Sequence, residues 1–236
     1  MRICALIIAL ALVAGEVRSQ STAASPAGNF HSLEFNLNAD RQVVVPSLAY
    51  QYYFALGTRG NFLIGPGFRM YGISSGSNWR FAETNAPDDN FRDGDRTVNA
   101  FIADETRAAA FNLGIYMAYR IKRFEIGADT DILGFSTSKA VSGNFEVAGT
   151  GELIPVAGIR TETLTLFPIN GTYNTGIIWA GWNMNKHSFF KVGITFVDVK
   201  YKVPREKLPE VNLPKEKFER IFTTISLGYA YRFRSR

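Results

Sequence analysis

The sequence predicts an all-β chain, eight antiparallel strands closed into a transmembrane barrel, with ten strands as the alternative count. Three observations predict it. Ile221 to Phe233 alternate strictly: Ile221, Thr223, Ile225, Leu227, Tyr229, Tyr231 and Phe233 share one face, and Phe222, Thr224, Ser226, Gly228, Ala230 and Arg232 share the other. A two-residue period is that of a β-strand, and here the bulky apolar face suits lipid while the small polar face suits a tight, wet interior. A water-soluble barrel would place them the other way round. Further segments repeat the pattern, and the connections between them alternate in length. The chain also opens on a stretch that fits an export signal.

In chain order, the first segment, 30–38, sets Leu33, Phe35 and Leu37 against Ser32, Glu34, Asn36 and Asn38. In the second, 45–57, Leu48, Tyr50, Tyr52, Phe54 and Leu56 oppose Ser47, Ala49, Gln51, Tyr53 and Ala55. The third, 62–74, carries Phe62, Ile64, Phe68 and Met70 outward and Gly65, Gly67, Arg69 and Tyr71 inward, with Pro66 as a blemish because proline cannot donate to a ladder. The fourth, 107–121, turns Phe111, Leu113, Ile115, Met117, Tyr119 and Ile121 outward and Asn112, Gly114, Tyr116, Ala118 and Arg120 inward.

A tight turn at Lys122-Arg123 leads to the fifth, 124–136, with Phe124, Ile126, Ala128, Thr130 and Ile132 out and Glu125, Gly127, Asp129 and Asp131 in. The sixth, 171–183, is blurred by Ile177-Ile178 and by the run from Trp179 to Trp182. In the seventh, 188–201, Phe190, Val192, Ile194 and Phe196 face out and Lys191, Gly193 and Thr195 face in. Each clean segment supplies the roughly 9–11 residues a tilted strand needs to cross a bilayer. Residues 159–167 also alternate, which is the origin of the ten-strand alternative.

Residues 58–61, 122–123 and 184–187 are short turns, whereas 75–106, 137–170 and 202–219 are long and 39–44 is short. Short turns on one side and long loops on the other are the arrangement of outer-membrane barrels, with the long loops outside the cell and both termini in the periplasm.

Residues 1–19 read as a signal peptide: Arg2, then an apolar run from Ile3 to Gly15, then small residues before Gln20. That run is too short for a spanning helix, which needs about 20 residues. Cys4, the only cysteine, would leave with the signal, so no disulfide or thiolate site is expected. Residues 20–29 read as a linker and 30–236 as the barrel. Removing the signal leaves 24 basic against 20 acidic residues, scattered rather than arranged in a stripe, so no nucleic-acid partner is expected.

These features resemble the small outer-membrane β-barrels of Gram-negative bacteria, namely the transmembrane domain of outer membrane protein A and the OmpX-like and OmpW-like barrels. The signal at 1–19 and the terminal strand ending Tyr229-Ala230-Tyr231-Arg232-Phe233 carry the resemblance. Tyr229, Tyr231 and Phe233 are similar to the signal read by the barrel-assembly machinery, although Arg234-Ser235-Arg236 follows where the phenylalanine often ends the chain. The resemblance implies a bacterial cell outer-membrane location, a monomer, and contact with outer-membrane lipid and lipopolysaccharide. Family members serve as adhesins, narrow porin-like pores, anchors or lipid-modifying enzymes, so the resemblance alone does not fix a role.

The inward charges are the candidate site: Glu34, Arg69, Arg120, Glu125, Asp129, Asp131, Lys191 and Arg232. Partners summing to 245 across the 122–123 turn put Arg120 opposite Glu125 and Tyr116 opposite Asp129. Buried opposite charges should pair, either as static filling or as a gate. Asp129 and Asp131 share a face, but no histidine accompanies them, so no catalytic group, cofactor or metal site is expected. A lipid A deacylase would need serine, histidine and acid on one lipid-facing patch. His31 and Ser32 are adjacent on a strand and face opposite ways, and His187 lies in a turn.

Asp93-Gly94-Asp95 in the acidic loop lacks the full calcium-loop spacing, and the basic loop 202–219 reads first as a generic solvated loop, with contact to lipopolysaccharide phosphates as its alternative. The expected function is a non-enzymatic structural or surface-interaction role at the cell surface, with a narrow pore open to the same barrel. An outer-membrane lipid-modifying enzyme is the alternative.

Overall fold

In the computed structural model, the described residues are 28–41, 43–57, 59–76, 78–83, 98–161, 164–166, 170–171, 175–208 and 216–234. The expected signal and most of the linker lie outside them, as do Asp88, Asp89, Asp93 and Asp95 of the acidic loop.

Alternating burial builds the strands. Along β1 (Phe30–Ala39), every even-numbered side chain from Phe30 to Asn38 is buried while Leu33 and Phe35 are exposed, as a strand with one face in a lumen requires. The same pattern shapes β2 (Val43–Leu56), β3 (Phe62–Ser75), β6 (Thr106–Ile121), β7 (Phe124–Ser138), β12 (Thr175–Asn183), β13 (Ser188–Lys202) and β14 (Lys217–Arg234). Between them come β4 (Trp79–Glu83), β5 (Ala100–Ala103), β8 (Val141–Glu146), β9 (Leu153–Thr161), β10 (Leu164–Leu166) and β11 (Asn170–Gly171).

All pairings are antiparallel, and the described strands form one sheet of fourteen, not the eight expected. Twelve of them close a ring, running β7, β12, β13, β9, β8, β5, β4, β14, β1, β2, β3, β6 and back to β7. The β13–β14 ladder, from Ser188↔Tyr231 to Lys202↔Lys217, crosses that ring and divides it. On one side, β13 and β14 join the long strands β1, β2, β3, β6, β7 and β12. On the other, β14 passes to β4 at Phe218↔Glu83 and β13 to β9 at Tyr201↔Thr161, closing a shorter circuit through β5 and β8.

The extra strands come from the long connections. Segments such as 79–83 and 141–146 are too short to cross a bilayer, so a reading keyed to membrane length passes over them. In register, Phe81 pairs with Phe101 and Phe101 with Phe145. This aromatic row joins Tyr201, Phe218 and Phe222 with Val43, Val45, Tyr71 and Ile73 of the long-strand circuit in one apolar cluster. The described strands of the long connections, β4, β5, β8 and β9, therefore contribute a packed cap over the lumen's mouth. The alternating run 159–167 is divided between two strands: β9 joins β8 and β13, while β10 joins β7 and forms a short hairpin with β11.

Two local expectations change. The 245 register runs from Ile121↔Phe124 to Gly114↔Asp131, then shifts so that Leu113 faces Leu133. Ile132 is the inserted residue of a β-bulge and sits half-buried rather than on the lipid face. Beyond it the outward positions change parity to Leu133 and Phe135, while Gly134 and Ser136 turn in. On β12 the blurred alternation resolves: Ile177 and Trp179 are inside, Ile178 and Trp182 outside.

Candidate functional site: a buried ionic network

Parity places Glu34, Arg69, Arg120, Glu125, Asp129, Asp131, Lys191 and Arg232 in the lumen, and all eight are buried. They assemble into two clusters. Nearest the short turns, the Glu125 carboxylate accepts from Arg120 Nε at 2.9 Å, from Arg232 Nη1 at 2.8 Å and Nη2 at 2.9 Å, and from Asn183 Nδ2 at 3.0 Å. Asn183 Oδ1 accepts a further bond from Arg232 Nη1 at 3.0 Å. The Arg232 guanidinium lies 3.8 Å from the ring centre of Phe189, a stacked cation–π contact that covers its face.

Further up the lumen, Asp129 is the hub. Its carboxylate accepts from Arg69 Nη2 at 3.1 Å, Lys191 Nζ at 3.3 Å and Trp179 Nε1 at 2.9 Å. Asp131 takes Arg69 Nη1 at 3.3 Å and Asn112 Nδ2 at 2.8 Å. Lys191 also pairs with Glu34, which accepts further bonds from Asn36 Nδ2 at 2.6 Å and Gln51 Nε2 at 3.5 Å. Gly127 and Gly228 make this geometry feasible. A Cβ at Gly127 would stand 2.5 Å from the Trp179 indole, and one at Gly228 would meet Asn36 and Lys191.

The eight ionisable groups comprise four basic and four acidic residues, so their formal charges cancel. That balance matters because an isolated buried charge is costly, whereas one with a partner and saturated hydrogen bonds is tolerated. The arrangement is suited to filling and cross-linking a lumen. An aromatic layer that includes Tyr53, Tyr116 and Phe189 lies with these clusters. Thr195 Oγ1 donates to Asn38 Oδ1 at 2.9 Å, and the apolar cluster of the cap takes over at Val43 and Val45.

The histidines stand elsewhere. His31 faces outward, with the Tyr50 hydroxyl 2.6 Å from Nδ1 and its ring stacked on Phe233 at 5.2 Å, while Ser32 is buried inside. His187 Nδ1 lies 2.8 Å from the Arg232 carbonyl oxygen, and the Ser188 hydroxyl lies 3.0 Å from that of Tyr229. Tyr229, Tyr231 and Phe233 all face outward. In the basic segment near the mouth, Lys200 pairs with Asp198 at 3.2 Å and with Glu219 at 3.0 Å, so carboxylates of the same hairpin partly neutralise it.

Sequence reasoning did not single out Asn112, Trp179 and Asn183 as network members. The parity of Asn112 already put it inside. Trp179 carried no clear signal, because a large indole reads as lipid-facing until its Nε1 is seen to reach Asp129.

Neither a family model nor a curated protein sequence matches the chain. Among solved structures it is similar to Ail, the attachment invasion locus protein of Yersinia pestis in complex with the heparin analogue sucrose octasulfate, at 8% identity and a TM-score of 0.36, over 87% of this chain and 97% of that one. It is similar to the P. putida toluene transporter TodX at 8% identity and a TM-score of 0.28, over 90% and 92% of the two chains. The CymD monoaromatic hydrocarbon channel follows at 8% identity and a TM-score of 0.20, over 88% and 89%. At such values the likenesses assign no ligand and no activity.

Proposed function

We propose that the chain is a monomeric barrel of the bacterial outer membrane, in which the circuit of eight long strands crosses the bilayer and the shorter circuit caps it outside. Its role is non-enzymatic, structural or surface-interacting, and its lumen is closed to ions at rest. One observation carries this reading: the outward faces of the long strands form a belt of exposed large apolar side chains around a charge-balanced, side-chain-filled interior. Ile115, Ile178, Ile194 and Ile225 are 37%, 63%, 50% and 68% exposed, values that water would penalise and lipid would not. The belt has an edge: on β13, Val192, Ile194 and Phe196 give way outward to Asp198, Lys200 and Lys202. With β1 beginning and β14 ending at the short-turn end, the cap faces the cell exterior in this reading, where it can meet surface partners.

The test is refolding into lipid vesicles followed by planar-bilayer recording. A closed barrel should migrate differently on gels with and without boiling and show no stable open level. A steady ohmic conductance in the parent protein would replace the closed reading with a pore, and failure to insert would reject the membrane barrel itself.

A further inference from the structure

The charges outside the lumen are segregated by end. The turn-side connections 57–61, 122–123 and 184–187 contain no aspartate or glutamate, yet each carries lysine or arginine: Arg59, Lys122 with Arg123, and Lys186. Arg234 adds a further cation where β14 ends. In sequence, every acidic residue after Glu16 outside the lumen falls in 39–44, 75–106, 137–170 or 198–219, and the described ones stand on the mouth side. Arg59, Lys122, Lys186 and Arg234 are exposed, and none has a carboxylate partner among the described residues. The mouth-side Lys200, by contrast, is paired twice.

A second feature sits at the same level. An outward ladder of rings starts at His187, stacked on Tyr231 at 5.5 Å, and passes through Phe233 and His31, whose centres are 5.2 Å apart. It continues to Tyr52 at 4.8 Å and to Phe54 at 4.8 Å. Farther round, Phe124 meets Trp182 edge to face at 4.2 Å. Amphipathic rings of this kind mark the depth at which the hydrocarbon ends and the headgroups begin. The unpaired cations therefore lie in the headgroup layer, around the perimeter of the barrel.

We propose that this rim binds the headgroups of anionic phospholipids in the leaflet it meets, of the phosphatidylglycerol class. The proposal rests on the membrane-barrel reading above. A zwitterionic headgroup brings its own ammonium and offers little to a ring of cations, whereas an anionic headgroup offers an uncompensated phosphodiester to each of them. Enrichment of such lipids holds the turn end at a fixed depth and distinguishes it from the mixed-charge mouth.

The molecule contains its own reporter. Of its three tryptophans, Trp179 is in the lumen and Trp79 packs against the cap, so Trp182 alone faces outward at the rim. The mature chain is refolded into phosphatidylcholine vesicles carrying brominated phosphatidylglycerol or brominated phosphatidylcholine, and tryptophan quenching is read, with Trp182→Phe as background. Brominated phosphatidylglycerol should quench at a mole fraction about threefold lower than brominated phosphatidylcholine, and about 0.5 M salt should bring the two together. The quadruple variant Arg59→Gln, Lys122→Asn, Lys186→Gln, Arg234→Gln should lose the preference, and Arg59→Lys, Lys122→Arg, Lys186→Arg, Arg234→Lys should keep it. Asparagine is chosen at 122 because Lys122 has φ 59°, a conformation asparagine accepts.

Equal quenching by both lipids, in a parent shown by gel shift to be folded, overturns the proposal and leaves the barrel standing. A preference that survives in the folded quadruple variant, or disappears instead on Lys200→Gln with Lys202→Gln at the mouth, overturns it as well. A chain that never inserts overturns both readings.

Discussion

Arg232 grips Glu125 through two parallel hydrogen bonds, Nη1 to Oε1 at 2.8 Å and Nη2 to Oε2 at 2.9 Å, across the lumen from β14 to β7. The two residues are 107 positions apart in the chain, and neither strand pairs with the other. This fork-on-fork contact is the geometry in which arginine and carboxylate gain most. It ties the terminal strand to the opposite wall.

Removing Glu125 should therefore be worse than removing either of its arginine partners. Glu125→Ala takes the carboxylate from both Arg120 and Arg232, with a penalty of about 3–5 kcal/mol where water is excluded. Arg120→Ala should cost least, since Arg232 still holds the carboxylate. Adding Arg232→Ala to Glu125→Ala should recover part of the loss. Denaturant midpoints in vesicles, arranged as a double-mutant cycle, measure this, and strictly additive effects would reject the coupling.

The lipid face offers a depth-dependent test. Ile115→Arg and Ile194→Arg should each cost about 2–4 kcal/mol if the residues lie at the midplane. Thr223→Arg, nearer the mouth-side edge of the belt, should cost less. Equal folding of Ile115→Arg and the parent in liposomes would mean that β6 has been turned inside out.

Gly127→Val is expected to destabilise by about 1–3 kcal/mol through overpacking, because its side chain would occupy the space of the Trp179 indole. The readout is twofold: a lower denaturant midpoint, and a change in the emission of Trp179 as Nε1 leaves Asp129. An unchanged spectrum would show that the indole does not depend on that gap.

The cap and the lumen should fail separately. Phe101 is fully buried in the aromatic row of the cap, and Phe101→Ala should cost the cap about 3–5 kcal/mol. Limited proteolysis should then cut within 75–106 or 137–170 while the gel shift of the folded barrel persists. Loss of both together would show that one cooperative core holds the whole molecule.

Much of this was open to a reader of the residues. Along β1 or β14 the two faces meet opposite environments, and parity alone sorts Leu33 from Glu34 and Tyr231 from Arg232. Every charged residue of the lumen network could be named this way, as could the Arg120 and Glu125 pairing, because a tight turn fixes the register around itself. Three things escaped. The bulge at Ile132 inverts the parity of β7, and period two has no means of announcing an inserted residue except the shift from Ile126 to Leu133 and Phe135. The strands of the cap are too short to register as membrane crossings. The partners of Asp129 were also hidden: Arg69, Trp179 and Lys191 reach it from distant points in the chain.

What the sequence by itself determined is which side of most long strands turns outward, β12 and the part of β7 beyond Ile132 excepted, because that is a local property of alternating side chains. What only the tertiary structure decided is which charge neutralises which, and how the long connections fold over the mouth, because both depend on closing the sheet, and closure brings together residues whose separation in sequence carries no trace of their contact.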